Sequence, residues 1–237
     1  MKEKDYEAMK NLSSRQKILM GCVSMALAMV GDYLLGFGTY DTSSAPNAYM
    51  GVEWNVIADW RLAVSSILGF SCVPFFYVGV KELLRVLDED YNIGDSSLYK
   101  LFKTANLAGV FYFAFIHIGI CMLPVIFNAG MEVTGDIPTS VGIVIRVLKS
   151  IAIPLAVSYI ICDCFVTIAW IGMILKGMIP IKKIYIICNP IIIAVLGNLA
   201  NYIASGLDSG FESLGWLLMY LVAAISLTKE DLLLTKR

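Results

Sequence analysis

Four polar side chains lie deep in apolar segments of this sequence. Asp32, His117, Asp163 and Asn198 each fall in a different segment. They stand at similar spacing from the lysines that bound these segments on one side, which are Lys17, Lys103, Lys176 and Lys183. At a helical rise of about 1.5 Å per residue, all four lie about 20 Å above the inner boundary of a hydrocarbon core about 30 Å thick. The spacing therefore predicts one intramembrane polar layer, which is a candidate functional site because buried polar groups are costly there.

Acid–base chemistry is the first use that these residue types allow. His117 is the single histidine of the chain, and Asp32 or Asp163 beside it would orient the imidazole as a general base. We therefore take His117, Asp32 and Asp163 as candidate catalytic residues. A zinc site would have to draw these three ligands from three separate helices, so we expect no metal and no cofactor. A purely structural, hydrogen-bonded histidine is the alternative.

Further polar residues could bind a ligand near this layer. The candidates are Arg61, Asn198, Asn201, Arg146 and Lys149. Arg61 opens a segment antiparallel to that of Asp32, so we expect the two to form an ion pair, either functional or helix-pinning. Arg146 and Lys149 could form a cationic rim that holds an anionic headgroup, or could extend to the membrane surface.

The elements that carry these residues are transmembrane helices. The chain is 58% apolar with a mean hydropathy of +0.75, which is too hydrophobic for a soluble domain of 237 residues. Six apolar segments are long enough to span, at residues 18–38, 62–80, 104–127, 148–175, 184–204 and 214–227. We predict an all-α, polytopic six-helix bundle that forms a single transmembrane domain over residues 1–237.

Charge distribution predicts the orientation of this bundle. Lysines and arginines cluster before the first segment, between the second and third, between the fourth and fifth, and after the sixth. The positive-inside rule then places both termini in the cytoplasm, with a polar segment at 1–17 and a tail at 229–237. We expect a multi-pass protein of a bacterial inner membrane, in contact with the lipid bilayer. A net charge of −1 without a basic block argues against nucleic-acid binding.

Several short motifs extend along the chain. They are Gly31-Asp32-Tyr33-Leu34-Leu35-Gly36, Trp60-Arg61-Leu62, His117, Ile179-Pro180 and Asn189-Pro190. Together they resemble a family of bacterial six-helix membrane proteins that is described as a domain of unknown function. The resemblance implies six helices and marks Asp32, Arg61, His117 and Asn189 as polar positions of interest. It implies no reaction. The helix number and the mid-membrane histidine are also similar to those of six-helix intramembrane lipid-ester hydrolases.

Three classes of function remain open at this point. A membrane enzyme that processes a lipid or small amphiphile is favoured by His117 beside carboxylates. A small-solute or proton-coupled transporter is favoured by two buried aspartates. A non-catalytic sensor or partner protein is the third class. The sequence leaves the substrate, the nucleophile and the oligomeric state open.

Overall fold

The computed structural model describes residues 12–36, 57–200, 203 and 207–228. Within these ranges the chain is helical and contains no β-strand. The α-helices are α1 (Ser14–Gly36), α2 (Asp59–Arg85), α3 (Ser97–Thr134), α4 (Ile137–Tyr159), α5 (Phe165–Leu175), α6 (Pro190–Ala200) and α7 (Phe211–Ser226). Most of the predicted N-terminal segment, the predicted loop before α2 and the predicted tail lie outside the described residues.

Four helical stretches are long and apolar enough to cross a membrane. They are Ser14–Gly36, Asp59–Asp90, Ser97–Thr134 and Ile137–Leu175. The first four predicted spans are therefore found as helices, each extended at one end or both. The fifth and sixth predicted spans correspond to shorter apolar helices, Pro190–Ala200 and Phe211–Ser226. The predicted fifth span is longer than α6 partly because its first residues lie in a separate 3-10 helix, Lys183–Ile187. Proline at the start of α6 cannot continue a helix from that segment.

Helices α1, α2 and α7 pack closely because glycines face each other. A Cβ atom at Gly79 would lie 2.6 Å from the backbone nitrogen of Gly21, and a Cβ at Gly21 would overlap the Tyr220 ring. Small residues at such crossings let helix backbones approach within a membrane, where packing rather than the hydrophobic effect drives association. Ser24 also donates a hydrogen bond to the carbonyl of Cys72 across the α1–α2 contact, at 2.9 Å.

The connection between α3 and α4 is short and capped on both sides. Gly135 ends α3 in a left-handed conformation with φ 64°, which glycine adopts without the steric cost of a side chain. The side chain of Asp136 then accepts a hydrogen bond from the Thr139 nitrogen at 2.9 Å and so caps α4. The Thr139 hydroxyl also donates to this carboxylate, and the two hydrogen bonds hold the pKa of Asp136 below its usual value because they favour the ionised form. These caps fix α3 and α4 as antiparallel neighbours.

A single π-helical turn, Ile160–Cys164, joins α4 to α5. The wider turn adds one residue to the local repeat and rotates the side chains that follow it. Asp163 lies within this turn and is buried. The predicted fourth span is thus an interrupted helix, and the interruption falls at one of the four polar positions.

Aromatic side chains fill the core beside this turn. Phe76 contacts the rings of Phe113, Trp216 and Tyr220, with ring centroids between 5.6 and 5.9 Å apart. Each such pair stabilises the packing by about 0.5–1.5 kcal/mol beyond area burial. The core therefore fixes α7 against α2 and α3, and sets the position of the polar side chains that α7 contributes.

Candidate functional site

The Asp32 carboxylate joins three helices. Its Oδ1 lies 3.1 Å from Nδ1 of His117, and its Oδ2 accepts a hydrogen bond from the Ser213 hydroxyl at 2.6 Å. Asp32 comes from α1, His117 from the middle of α3 and Ser213 from the first turn of α7. Both carboxylate oxygens therefore have partners, as a polar group in an apolar surrounding requires.

The other ring nitrogen of His117 faces Ser65 on α2. Nε2 lies 3.1 Å from the Ser65 hydroxyl and 3.0 Å from the Ser65 carbonyl oxygen. The same hydroxyl donates to the carbonyl of Gly31 at 2.8 Å and lies 3.3 Å from the Cys121 thiol. A protonated Nε2 donates to Ser65, whereas an unprotonated Nε2 accepts from the hydroxyl. The arrangement therefore accommodates either protonation state.

Two glycines make room for the imidazole ring. A Cβ atom at Gly69 would overlap the ring of His117, and one at Gly31 would lie 3.1 Å from Cε1. Gly31 is the residue before Asp32, so the Gly-Asp motif provides both the space for the ring and the carboxylate that binds it. His117 itself is 6% exposed. The ring is held by packing on two sides and by hydrogen bonds at both nitrogens.

A second carboxylate cluster lies on the α5 side of Asp32. Asp163 accepts a hydrogen bond from the Trp216 indole nitrogen at 2.7 Å. The carboxyl groups of Asp163 and Glu212 are close enough to share a hydrogen bond. Because Glu212 and Trp216 are four residues apart on α7, one helix face supplies both partners of Asp163.

These groups line one cavity of about 200 Å³, which we call the acidic cavity. It is lined by Asp32, Leu35, Gly36, Phe113, Ile116, His117, Ile120, Cys162, Asp163, Ser209, Glu212 and Ser213. Among the described residues, the polar lining thus contains three carboxyl groups and one imidazole, without a lysine or an arginine. Three of the four side chains that the sequence assigned to one layer, Asp32, His117 and Asp163, meet here.

The fourth side chain of the predicted layer, Asn198, does not line the acidic cavity. Asn198 is exposed, and its amide donates to the carbonyl of Ala194 one turn earlier in α6, at 3.0 Å. An amide satisfied by its own helix can face outward at little cost. Asn201, the other predicted ligand-binding asparagine, lies outside the described residues.

The predicted cationic residues also lie away from the acidic cavity. Arg146 and Lys149 are exposed on α4, and neither lines it. The expected Asp32–Arg61 ion pair is wrong. The Arg61 guanidinium donates to the carbonyls of Leu34 at 2.7 Å and Tyr33 at 3.4 Å. A cation at these carbonyls stabilises the last turn of α1, where the helix dipole is negative.

Asn189, a motif residue, has a structural position. Its side-chain oxygen accepts a hydrogen bond from the Ile192 nitrogen at 2.9 Å and one from the Thr167 hydroxyl at 3.2 Å. Its amide donates to the carbonyl of Ile186 at 2.6 Å. Asn189 thus caps α6 just before Pro190 at the first helical position, and also joins α6 to α5.

Sequence reasoning missed three residues of the site. Glu212 and Ser213 fell outside the predicted sixth span, which began at Leu214, whereas α7 begins at Phe211. Ser65 was not singled out, because the sequence left open which hydroxyl residue could act as a nucleophile. An acidic residue one turn before an apolar helix is a common start signal, and this signal could have extended the predicted span to Glu212.

In the part of the chain that the structure describes, the side chains are not arranged as a metal centre. No group of three or more His, Cys, Asp or Glu side chains there is arranged to hold a metal ion. The acidic cavity has carboxylates on two sides, but these are divided between the Asp32–His117 contact and the Asp163–Glu212 contact.

Four long apolar helices, of which α1 and α3 line the acidic cavity together with the π-helical turn and α7, define a helical protein of the kind that spans membranes. The chain belongs to a family of unknown function, DUF6796, whose model matches residues 9–230. No curated protein and no solved structure shows a significant match to the chain.

Proposed function

We propose that this protein is a bacterial inner-membrane carrier that binds a small cationic solute in the acidic cavity and exchanges it for protons. The observation that supports this proposal is the lining of that cavity, where Asp32, Asp163 and Glu212 meet His117 without another basic side chain. Carboxyl groups in a membrane interior are costly and are characteristic of ion and proton pathways. We therefore favour the transporter over the membrane enzyme.

The proposed exchange keeps the charge in the acidic cavity balanced. An imidazolium at His117 neutralises Asp32, because the two groups lie 3.1 Å apart. Two carboxyl groups that share a hydrogen bond hold one proton between them, since two adjacent negative charges repel strongly in a low dielectric. A cation that entered beside Asp163 and Glu212 would replace that proton. The cavity would then gain one solute and release one proton.

The size of the acidic cavity limits the solute. At about 30 Å³ per water molecule, 200 Å³ corresponds to about seven waters. A solute of a few non-hydrogen atoms fits, whereas a phospholipid headgroup with its acyl chains requires more room. Guanidinium is a suitable probe because it is small, planar and charged at every accessible pH, and because it pairs with carboxylates through two hydrogen bonds.

The proposed topology has six spans and both termini in the cytoplasm. It is supported by the one-sided lysine and arginine clusters and by the four long apolar helical stretches, together with the shorter apolar helices α6 and α7. Cysteine scanning with an impermeant thiol reagent tests it in intact cells. We expect Ser44→Cys to react from outside; reaction only after the cells are opened would contradict this orientation.

Uptake into vesicles tests the transport proposal. We expect purified protein in liposomes to accumulate labelled guanidinium when the lumen is more acidic than the medium, because protons leaving the vesicle drive solute entry. Asp163→Asn should abolish accumulation. Asp95→Asn, a matched change at an exposed aspartate before α3, should leave it unchanged. Equal accumulation by wild type, Asp163→Asn and empty liposomes would overturn the proposal.

A hydrolase that acts on a lipid or small amphiphile is the second candidate. Ser65, His117 and Asp32 follow the order of a serine nucleophile, its base and the orienting acid, with contacts of 3.1 Å at each step. However, Ser65 is 0% exposed, and its hydroxyl donates to Gly31. A substrate carbonyl would reach it only after α1 and α2 separate. Covalent labelling of wild type, but not Ser65→Ala, by a fluorophosphonate would favour this hydrolase.

A further inference from the structure

A second space lies on the opposite side of the His117–Ser65 contact. It is a groove of about 390 Å³ between α2 and α3, which we call the α2–α3 groove. It is lined by Asp59, Leu62, Ala63, Ser66, Cys121, Met122, Val125, Asn128, Ala129 and Glu132. His117 and Asp32 line the acidic cavity but not this groove, whereas Cys121 and Ser66 line the groove but not the acidic cavity. His117 on one space and Cys121 on the other both contact Ser65, so polar side chains connect the two spaces.

These side chains form a continuous series of polar contacts. The Cys121 thiol lines the groove, as does Ser66. The thiol lies 3.3 Å from the Ser65 hydroxyl, which lies 3.1 Å from Nε2 of His117. On the far side of the ring, Nδ1 lies 3.1 Å from Asp32. Each of these distances is short enough for a hydrogen bond, including the contact that involves the sulfur atom.

We infer that Cys121, Ser65 and His117 form a proton relay that connects the α2–α3 groove with the acidic cavity. This inference deepens the proton-linked function proposed above, because it supplies the route by which protons reach Asp32. The route is separate from the space that the solute would occupy. Protons and solute could then enter the molecule from different sides of His117.

The proton balance of the relay is closed. In the starting state Nε2 of His117 is unprotonated and Nδ1 carries the proton of the ring. A hydronium ion in the groove gives a proton to the thiol of Cys121 as the thiol passes its own proton to the Ser65 oxygen. The Ser65 hydroxyl passes its proton to Nε2 of His117, and Nδ1 releases a proton to Asp32. Cys121, Ser65 and the imidazole each end with as many protons as they began with, the hydronium ion becomes water, and the Asp32 carboxylate gains one proton. One proton therefore crosses, and no bond between heavy atoms changes.

The Ser65 hydroxyl is the controlling element of this relay. Its hydrogen now points to the Gly31 carbonyl at 2.8 Å and must rotate to reach Nε2. Hydroxyl rotation is a small, local motion. The titratable groups that bear on His117 are Asp32 from α1, Cys121 from its own helix, Asp163 from the π-helical turn and Glu212 from α7. Asp59 and Glu132 are the carboxylates of the groove.

The single histidine makes this relay directly measurable. In protein that is ¹⁵N-labelled at histidine and held in lipid nanodiscs, every imidazole resonance belongs to His117, and Nδ1 and Nε2 give separate signals. The measurement is made at a pH at which both nitrogens carry a proton. The exchange of the Nε2 proton with water then reports on the groove side, and the exchange of the Nδ1 proton reports on the acidic cavity.

A pair of substitutions at Cys121 separates relay from packing. Cys121→Ala removes the proton-carrying group, so we expect Nε2 exchange to slow by about tenfold or more while Nδ1 exchange stays within about twofold. Cys121→Ser restores a hydroxyl and should keep Nε2 exchange within about threefold of wild type. Equal rates in both variants, whether fast or slow, would show that the thiol only packs and would overturn the relay.

A second pair tests the groove without altering the relay. Ala63→Trp fills the groove and should slow Nε2 exchange. Val64→Trp adds the same ring at the next position, which is outside the groove, and should have no effect. Unchanged exchange in Ala63→Trp would also overturn the inference. None of these measurements depends on transport, so missing guanidinium uptake with an intact exchange pattern would reject the proposed function alone.

Discussion

Gly69 and His117 are in direct contact across the α2–α3 boundary, and a methyl group at residue 69 would occupy the space of the imidazole ring. The position of the ring relative to Asp32 and Ser65 therefore depends on the absence of a side chain on a neighbouring helix. The contact also explains why α2 and α3 can approach closely at the level of the polar site.

Gly69→Ala should destabilise the protein and displace His117. Overpacking of a buried contact costs about 1–3 kcal/mol, so we expect a lower melting temperature in detergent and changed ¹⁵N imidazole shifts. Gly142→Ala is the matched control, because a Cβ there meets nothing within 4 Å. That change should be neutral or stabilise α4 by about 0.4–1 kcal/mol. A stable Gly69→Ala variant with wild-type imidazole shifts would contradict the packing described for the ring.

Asp32 should be energetically coupled to His117 and not to Arg61. Breaking a buried charged pair costs about 3–5 kcal/mol, so Asp32→Asn and His117→Gln should each destabilise the protein strongly. The double variant should be less destabilised than the sum of the singles, with a coupling of about 0.5–3 kcal/mol.

The companion cycle combines Asp32→Asn with Arg61→Gln. Because Arg61 donates to the carbonyls of Tyr33 and Leu34, we expect the two effects to add within about 0.5 kcal/mol. Unfolding by denaturant in mixed micelles gives all the required free energies. Strong coupling in this second cycle would restore the Asp32–Arg61 pair that the sequence suggested.

Trp216→Phe should be more damaging than Trp170→Phe. Both changes remove an indole of the buried core, but only the Trp216 nitrogen donates to Asp163. The Trp170 nitrogen has no hydrogen-bond partner among the described residues. Leaving the Asp163 carboxyl without this donor costs about 1–3 kcal/mol beyond the loss of ring volume. Equal melting temperatures of the two variants would indicate that the Trp216–Asp163 hydrogen bond contributes nothing to stability.

Asn189→Ala should destabilise the protein by about 0.5–2 kcal/mol, because it removes the cap of α6 and a partner of Thr167. Asn198→Ala, the same change at an exposed position of α6, should stay within about 0.5 kcal/mol of wild type. Thermal unfolding in detergent compares the two directly. If Asn198 carried the larger effect, the assignment of Asn189 as the structural asparagine would be wrong.

The sequence determined how far along its helix each polar residue of the site lies. Helical rise is nearly constant, so the spacing from the basic ends placed Asp32, His117 and Asp163 at a common level. Burial of carboxylates away from lipid then required those side chains to turn inward. The all-helical fold and the four longest spans followed from apolar length for the same reason, since isolated backbone groups cannot remain unpaired in hydrocarbon.

Rotation about the helix axis and the choice of partner were decided by tertiary structure alone. Asn198 faces outward at little cost, because its amide is satisfied one turn away in its own helix. Arg61 donates to carbonyls at the end of α1, whereas the Asp32 carboxylate contacts His117 and Ser213.

The remaining features depend on how separate segments meet. Glu212 joins the site because α7 begins one turn earlier than its apolar run. Asp163 faces the acidic cavity from a π-helical turn, a local widening that composition does not encode. The α2–α3 groove and the acidic cavity are spaces between helices, and packing creates such spaces only when all the side chains around them are in position.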